Sequence, residues 1–156
     1  MTTKQTPAER LARALLKRAR DIEQRTTTPP TIHTVTTHHT ATDTGDLIAS
    51  AQDAHLAIAA ATSAKQITRR YIGLTTRGWA APVNPDQPND QTPPSLHPKR
   101  QRVTLIIVHD TTTNKQTSAL HIAGKRGALI DHGDARGELA DALAQLAADL
   151  TTPPAA

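Results

Sequence analysis

The stretch Arg102–Asp110, R-V-T-L-I-I-V-H-D, decides the fold. Val103, Leu105, Ile106, Ile107 and Val108 fall within six positions, in a chain otherwise dominated by 26 Ala and 25 Thr. A run that is apolar at both odd and even positions has no face to turn to water, so it reads as a strand covered on both sides. The chain is expected to build a small sheet around it.

Downstream, Asp110–Lys115 (D-T-T-T-N-K) is a polar turn, and Gln116–Ala123 follows as a second strand with Leu120 and Ile122 alternating inward. If residue 109 pairs with 116 or 117, His121 falls opposite Thr104 or Leu105, so His109 and His121 are not neighbours. Gly124-Lys125-Arg126-Gly127 reads as a tight hairpin turn, and Ala128–Asp131 as a short third strand. A helix is expected from Asp134 to Leu150, with Leu139, Leu143, Leu146 and Leu150 on one stripe and Asp134, Glu138 and Asp141 early, where the helix dipole favours them. Together these make a ββ(β)α unit.

Upstream, residues 80–102 hold Pro82, Pro85, Pro88, Pro93, Pro94 and Pro98, which break any helix or central strand and imply a linker or projecting loop. Lys99, Arg100 and Arg102 close it with positive charge. Before it, two readings compete. Ser63-Ala64-Lys65-Gln66 is an S-x-x-Q capping box that starts a short basic helix ending at Gly73, and with the helix before it this resembles a helix-turn-helix. Ala61 and Thr62 depart from that pattern in the turn, and Arg70 departs at its late apolar position. In the other reading the first helix runs to about Gln66, and Ile67–Trp79 is a strand able to pair with 103–109.

Pro7–Gln24 is an amphipathic helix. Thr6 caps it, Pro7 suits its first position, and Glu9 completes a T-x-x-E box. Leu11, Leu15, Ala19 and Ile22 share one face; Arg10, Arg13, Lys17 and Arg20 share another. Residues 26–45 contain ten Thr and little to bury, which suggests an edge strand or an extended arm, its His33, His38 and His39 facing solvent. Adjacent histidines in a strand point to opposite faces, so His38 and His39 do not share a metal. Asp43-Thr44-Gly45-Asp46 looks like a helix start, and the Ala-rich segment after it sets a helix over 46–66.

The expected fold is therefore α+β: a small antiparallel sheet with strands near 103–109 and 116–123, and candidates at 67–76 and 128–131. Helices near 7–24, 46–66 and 134–150 pack it. The division is a basic helical segment 1–79, a Pro-rich segment 80–102 and the unit 103–150, or one domain throughout.

Absence of Cys removes disulfides and thiolate metal sites. The N-terminus lacks an apolar signal core, and no stretch approaches the ~20 apolar residues of a membrane span, so the expectation is a cytoplasmic protein with no membrane contact. Residues 1–102 carry 14 Lys/Arg against 8 Asp/Glu, while 103–156 carry 4 against 6. A basic front suits a polyanion. No nucleophile elbow, P-loop or metalloprotease motif occurs; Asp131-His132-Gly133-Asp134, the most active-site-like cluster, lies at a strand end before a helix, where Asp134 reads more simply as an N-cap, and His109-Asp110 lies at a strand end as well. The reading is a non-enzymatic binding or adaptor protein, without cofactor or metal. Its phosphate contacts to nucleic acid would come from Arg10, Arg13, Lys17, Arg20, Lys65, Arg69 and Arg70. The alternative is a structural protein, such as a virion or tail-connector component, whose Thr/Pro-rich arms and thin core are completed by other subunits or by self-association.

Overall fold

Among the described residues, six strands join one antiparallel sheet with Gln101–Asp110 inside it. Along the chain run α1 (Pro7–Arg25), β1 (His33–His38), β2 (Asp46–Ala51), α2 (Ala54–Ala61), β3 (Tyr71–Ala80), β4 (Gln101–Asp110), β5 (Lys115–Ile122), β6 (Leu129–His132) and α3 (Glu138–Thr151). The sheet order is β2-β1-β3-β4-β5-β6. This is a computed structural model; it describes residues 6–25, 33–42, 45–62, 70–80, 101–123, 127–132 and 138–151.

Strand β4 is covered on both faces, as its sequence requires. Ile107 belongs to a cluster with Ile72, Leu74, Val35, Ala57, Ile58, Leu143 and Leu146, on the side of α2 and α3. Its neighbours Ile106 and Val108 belong to a second cluster with Tyr71, Ala119, Leu11, Leu15 and Leu16, on the side of α1. Alternation along a strand sends successive side chains to opposite faces, so one continuous apolar run serves both cores. The β4–β5 hairpin pairs His109 with Gln116 and Thr104 with His121, which separates the two histidines as the turn length implied. Asn114 takes the positive φ (57°) that this turn needs, and its N–H donates to the Asp110 carbonyl at 2.8 Å.

Helix α1 begins as its sequence suggests. The Thr6 hydroxyl accepts from the Glu9 N–H at 3.1 Å, and the Thr6 carbonyl accepts from the Arg10 N–H at 3.0 Å. Leu11, Ala12, Leu15, Leu16 and Ala19 are buried beneath it. Arg77 of β3 donates to the Ala19 carbonyl at 3.3 Å, tying the helix to the sheet.

Several expectations are corrected. The helix expected over 46–66 is instead strand β2 followed by α2, with Ser63–Gln66 outside the described residues. Asp53 restarts the chain as an N-cap, accepting from the Leu56 N–H at 3.1 Å. Helical propensity yielded to strand pairing: Ile48, Ala49 and Ala51 of β2 pack into the α2–α3 core. Gly45, expected at a helix start, instead takes a positive φ of 78° just before β2. The Thr-rich arm holds β1, an interior strand between β2 and β3. It looked like an edge because its second partner lay hidden in the Ala-rich segment. The histidines there are not all at the surface: His38 is fully buried and its Nε2 lies 2.8 Å from the Thr36 hydroxyl, while half-buried His33 meets the Thr76 hydroxyl at 2.6 Å. The short helix expected to reach Gly73 gives way to β3 from Tyr71 onward, paired in full register with β4 from Tyr71↔Asp110 to Ala80↔Gln101. No described helix is long and apolar enough to cross a membrane.

Candidate functional site

The seven cationic residues singled out in the sequence separate into three groups. Arg10, Arg13 and Lys17 lie exposed on the outer face of α1, because the apolar stripe opposite them is consumed by the sheet. Arg20 lies at the flank of that face, half-buried, and exposed Arg18 flanks the other side. Arg13 is braced by Glu9, one turn earlier, through Nε to Oε2 at 3.1 Å. That pair is partly exposed, so it orients Arg13 more than it stabilises the fold. The face that results is a cationic ridge along one side of a helix. Lys65 and Arg69 lie outside the described residues.

Arg70 is not on this ridge. It stands just before β3, and its Nε and Nη2 meet the two carboxylate oxygens of Asp110 at 3.3 and 3.2 Å. The Tyr71↔Asp110 register brings the pair together, although they are 40 positions apart in sequence. Arg70 is thus committed to a buried carboxylate: the Asp110 side chain is only 10% exposed. Burial pushes the Asp110 carboxyl up, but the Arg70 hydrogen bonds and the Thr112 and Thr113 N–H groups overcome this and hold it below the ordinary carboxylate value. The hydrogen bonds from Arg70 to Asp110 raise the guanidinium further above its already high value. The guanidinium carbon also lies 5.2 Å from the centre of the Tyr71 ring, within cation–π range.

Beside this pair a cavity of about 510 Å³ opens between the start of α1 and the β4–β5 turn. Thr6, Pro7 and Ala8 form one wall; Arg70, Tyr71 and Asp110 form another; Thr113, Lys115, Gln116 and Thr117 close it from the turn. Its volume lies in the ordinary range of small-molecule pockets. A second, smaller groove of about 90 Å³ lies alongside the later turns of α1, by Ile22 and Arg77.

No protein family, curated protein or solved structure matches the chain.

His109 lies on the opposite face of β4 from Asp110. It is 3% exposed, and its Nε2 is buried without a hydrogen-bond partner among the described residues. Gln116 Nε2 lies 3.2 Å from His109 Nδ1 and donates to the Ala140 carbonyl of α3 at 2.9 Å. Burial lowers the imidazole pKa, against the opposing effects of Asn114 and Asp110. Among the described residues no three of His, Asp and Glu gather closely enough to hold a metal ion.

Asp110, Tyr71 and Lys115 are the pocket residues that sequence reasoning missed. The signal was half present: Asp110 stands visibly at a strand end, but its partner Arg70 is fixed only by cross-strand register.

Proposed function

We propose that the protein is a non-enzymatic binding protein whose α1 ridge contacts the phosphates of nucleic acid. The observation that supports this is the burial of Leu11, Ala12, Leu15, Leu16 and Ala19, which turns Arg10, Arg13 and Lys17 together into solvent. Arg20 joins them at the flank. Such a ridge neutralises phosphates without reading bases, so binding is non-specific and falls with salt. Arg70 makes no part of this interface, since it stands just before β3 and not on α1, and the helix-turn-helix reading is set aside because β3 begins at Tyr71.

Fluorescence anisotropy with a labelled 20-base-pair duplex tests this. Binding should be measurable at about 50 mM salt and weaken steeply by 200 mM. Replacing Arg10, Arg13 and Lys17 together by Ala should flatten the log–log salt slope by up to about 0.9 for each phosphate left unneutralised. No binding at the lower salt rejects the proposal.

A second reading, self-assembly, rests on a different observation. β2 and β6 end the sheet, and each carries an exposed leucine: Leu47 at 62% and Leu129 at 64%. Strand edges bearing exposed apolar side chains invite a further strand. Sedimentation of the whole chain separates the readings: a monomer at high concentration removes this one.

A further inference from the structure

We propose that the cavity at the start of α1 binds a small organic oxyanion, a carboxylate or phosphate monoester carried on a compact apolar body. Three independent features of its walls select that chemistry. The first is charge. Arg70 spends two of its five N–H donors on Asp110, which leaves its outer edge for a second oxyanion, and Lys115 stands exposed on the turn beside it. Asp110 is cancelled by Arg70, so Lys115 leaves the pocket net positive. The second is Tyr71. The residue is 2% exposed and lines the cavity. A phenol both donates and accepts, so its hydroxyl can donate to an oxyanion bound there. The third is the helix start. Thr6 takes the N–H groups of Glu9 and Arg10, and Ala8 lines the cavity at the positive end of the helix dipole.

The ligand must also carry an apolar part. Pro7, Ala8 and the Tyr71 ring make the walls largely hydrocarbon, and about 510 Å³ is far more than a bare phosphate fills. The oxyanion therefore sits toward Arg70 and Lys115, with the apolar body against Pro7 and Ala8. This site is separate from the α1 ridge and does not depend on nucleic-acid binding.

Amide chemical shifts of the full chain, titrated with phenyl phosphate, benzoate, inorganic phosphate and benzyl alcohol, test the assignment. Phenyl phosphate or benzoate should move Ala8, Arg70, Tyr71 and Lys115 with a Kd on the order of 1 mM or tighter, as suits about ten non-hydrogen atoms. Whichever oxyanion binds more tightly names the natural headgroup. Inorganic phosphate, with no apolar surface to bury, should bind at least about 10-fold more weakly, and benzyl alcohol, with no charge, should leave the same amides unmoved. Lys115→Ala, at an exposed position, should weaken binding about 10-fold, and Tyr71→Phe, which keeps the packed ring, about 5-fold. The proposal is overturned if neither aromatic anion moves these amides by about 10 mM, if inorganic phosphate binds equally well, or if both variants bind like the parent.

Discussion

Gly73 and Leu15 should be energetically coupled, and the sign of the coupling follows from their geometry. Gly73 lies in β3, opposite Thr36 of β1 and Val108 of β4, beneath α1. A Cβ at this position would stand 2.8 Å from Leu15 Cδ1 and 3.2 Å from Thr36 Oγ1. The backbone there does not need glycine, so the question is one of space. Gly73→Ala gains roughly 0.4–1 kcal/mol by restricting the unfolded chain. Overpacking in a close-packed layer costs about 1–3 kcal/mol. The net should be a loss of about 1–2 kcal/mol. Leu15 is 6% exposed, so Leu15→Ala should cost about 2–5 kcal/mol. In the double variant the new methyl occupies part of the space that Leu15 vacates, and the clash is gone. The combined loss should therefore fall short of the sum by about 1–2 kcal/mol. Urea unfolding of the four proteins, followed by far-ultraviolet circular dichroism at one pH and salt, measures the cycle. Additivity within about 0.5 kcal/mol would refute the contact and with it the seating of α1 on β3. The outward direction of Arg10, Arg13 and Lys17 depends on that seating, so the cycle also bears on the proposed function.

Two further perturbations probe the other end of the sheet and the buried histidines. Gly45→Ala should destabilise by at least about 2 kcal/mol, because the position holds φ at 78° and a Cβ would meet the His38 imidazole and stand 2.7 Å from the Thr37 carbonyl oxygen; a melting temperature within a degree of the parent would contradict the turn. Stability should decline on acidification from about pH 6.5, since burial lowers the pKa of both His109 and His33 below the ordinary 6.5 and the unfolded chain then binds protons that the folded chain refuses. Each histidine adds a slope of the same sign, below the one-proton limit of about 1.4 kcal/mol per pH unit. Asp110 adds to the decline below the ordinary 3.8, where the unfolded carboxyl takes a proton that the Arg70-held one resists. A stability flat from pH 7.5 to 5, by urea titration, would oppose the burial of these imidazoles.

The parts of the fold legible in the sequence are those whose signal is local and whose burial is complete. β4 could be read from one run because both of its faces are core. The β4–β5 hairpin followed from turn length, and α1 from its cap and its two stripes. The region 33–62 was misread for a physical reason. β1 is built largely of Thr and buries Val35, Thr37 and His38, so its burial carries no apolar signature. β2 is D-L-I-A-S-A, a helix-compatible hexamer whose conformation is decided by Val35 and its neighbours across the ladder. The register slips between Val35 and Thr36, leaving Ile48 as an extra residue, and both Ile48 and Ala49 reach the core. A bulge of that kind breaks the period-two pattern by which the strand would have been found.

The same distinction between local and cross-strand order explains what could be seen of the candidate sites. Helical spacing is local, so the α1 ridge was readable residue by residue. On a strand, neighbours in sequence are separated in space: His109 lies on the α2–α3 side of β4, and Asp110 turns toward the cavity on the α1 side. The residues of the strand-end pair His109-Asp110, adjacent in sequence, sit on opposite faces of the sheet. Conversely, Arg70 and Asp110 have no visible relation in sequence, yet pairing of β3 with β4 places Tyr71 directly across from Asp110 and delivers the guanidinium to the carboxylate. Arg70 therefore left the nucleic-acid set for a structural reason, since a buried carboxylate demands a partner and the nearest cation supplies it. What remains on the ridge is Arg10, Lys17 and Arg13, the last paired with Glu9 one turn earlier on its own helix.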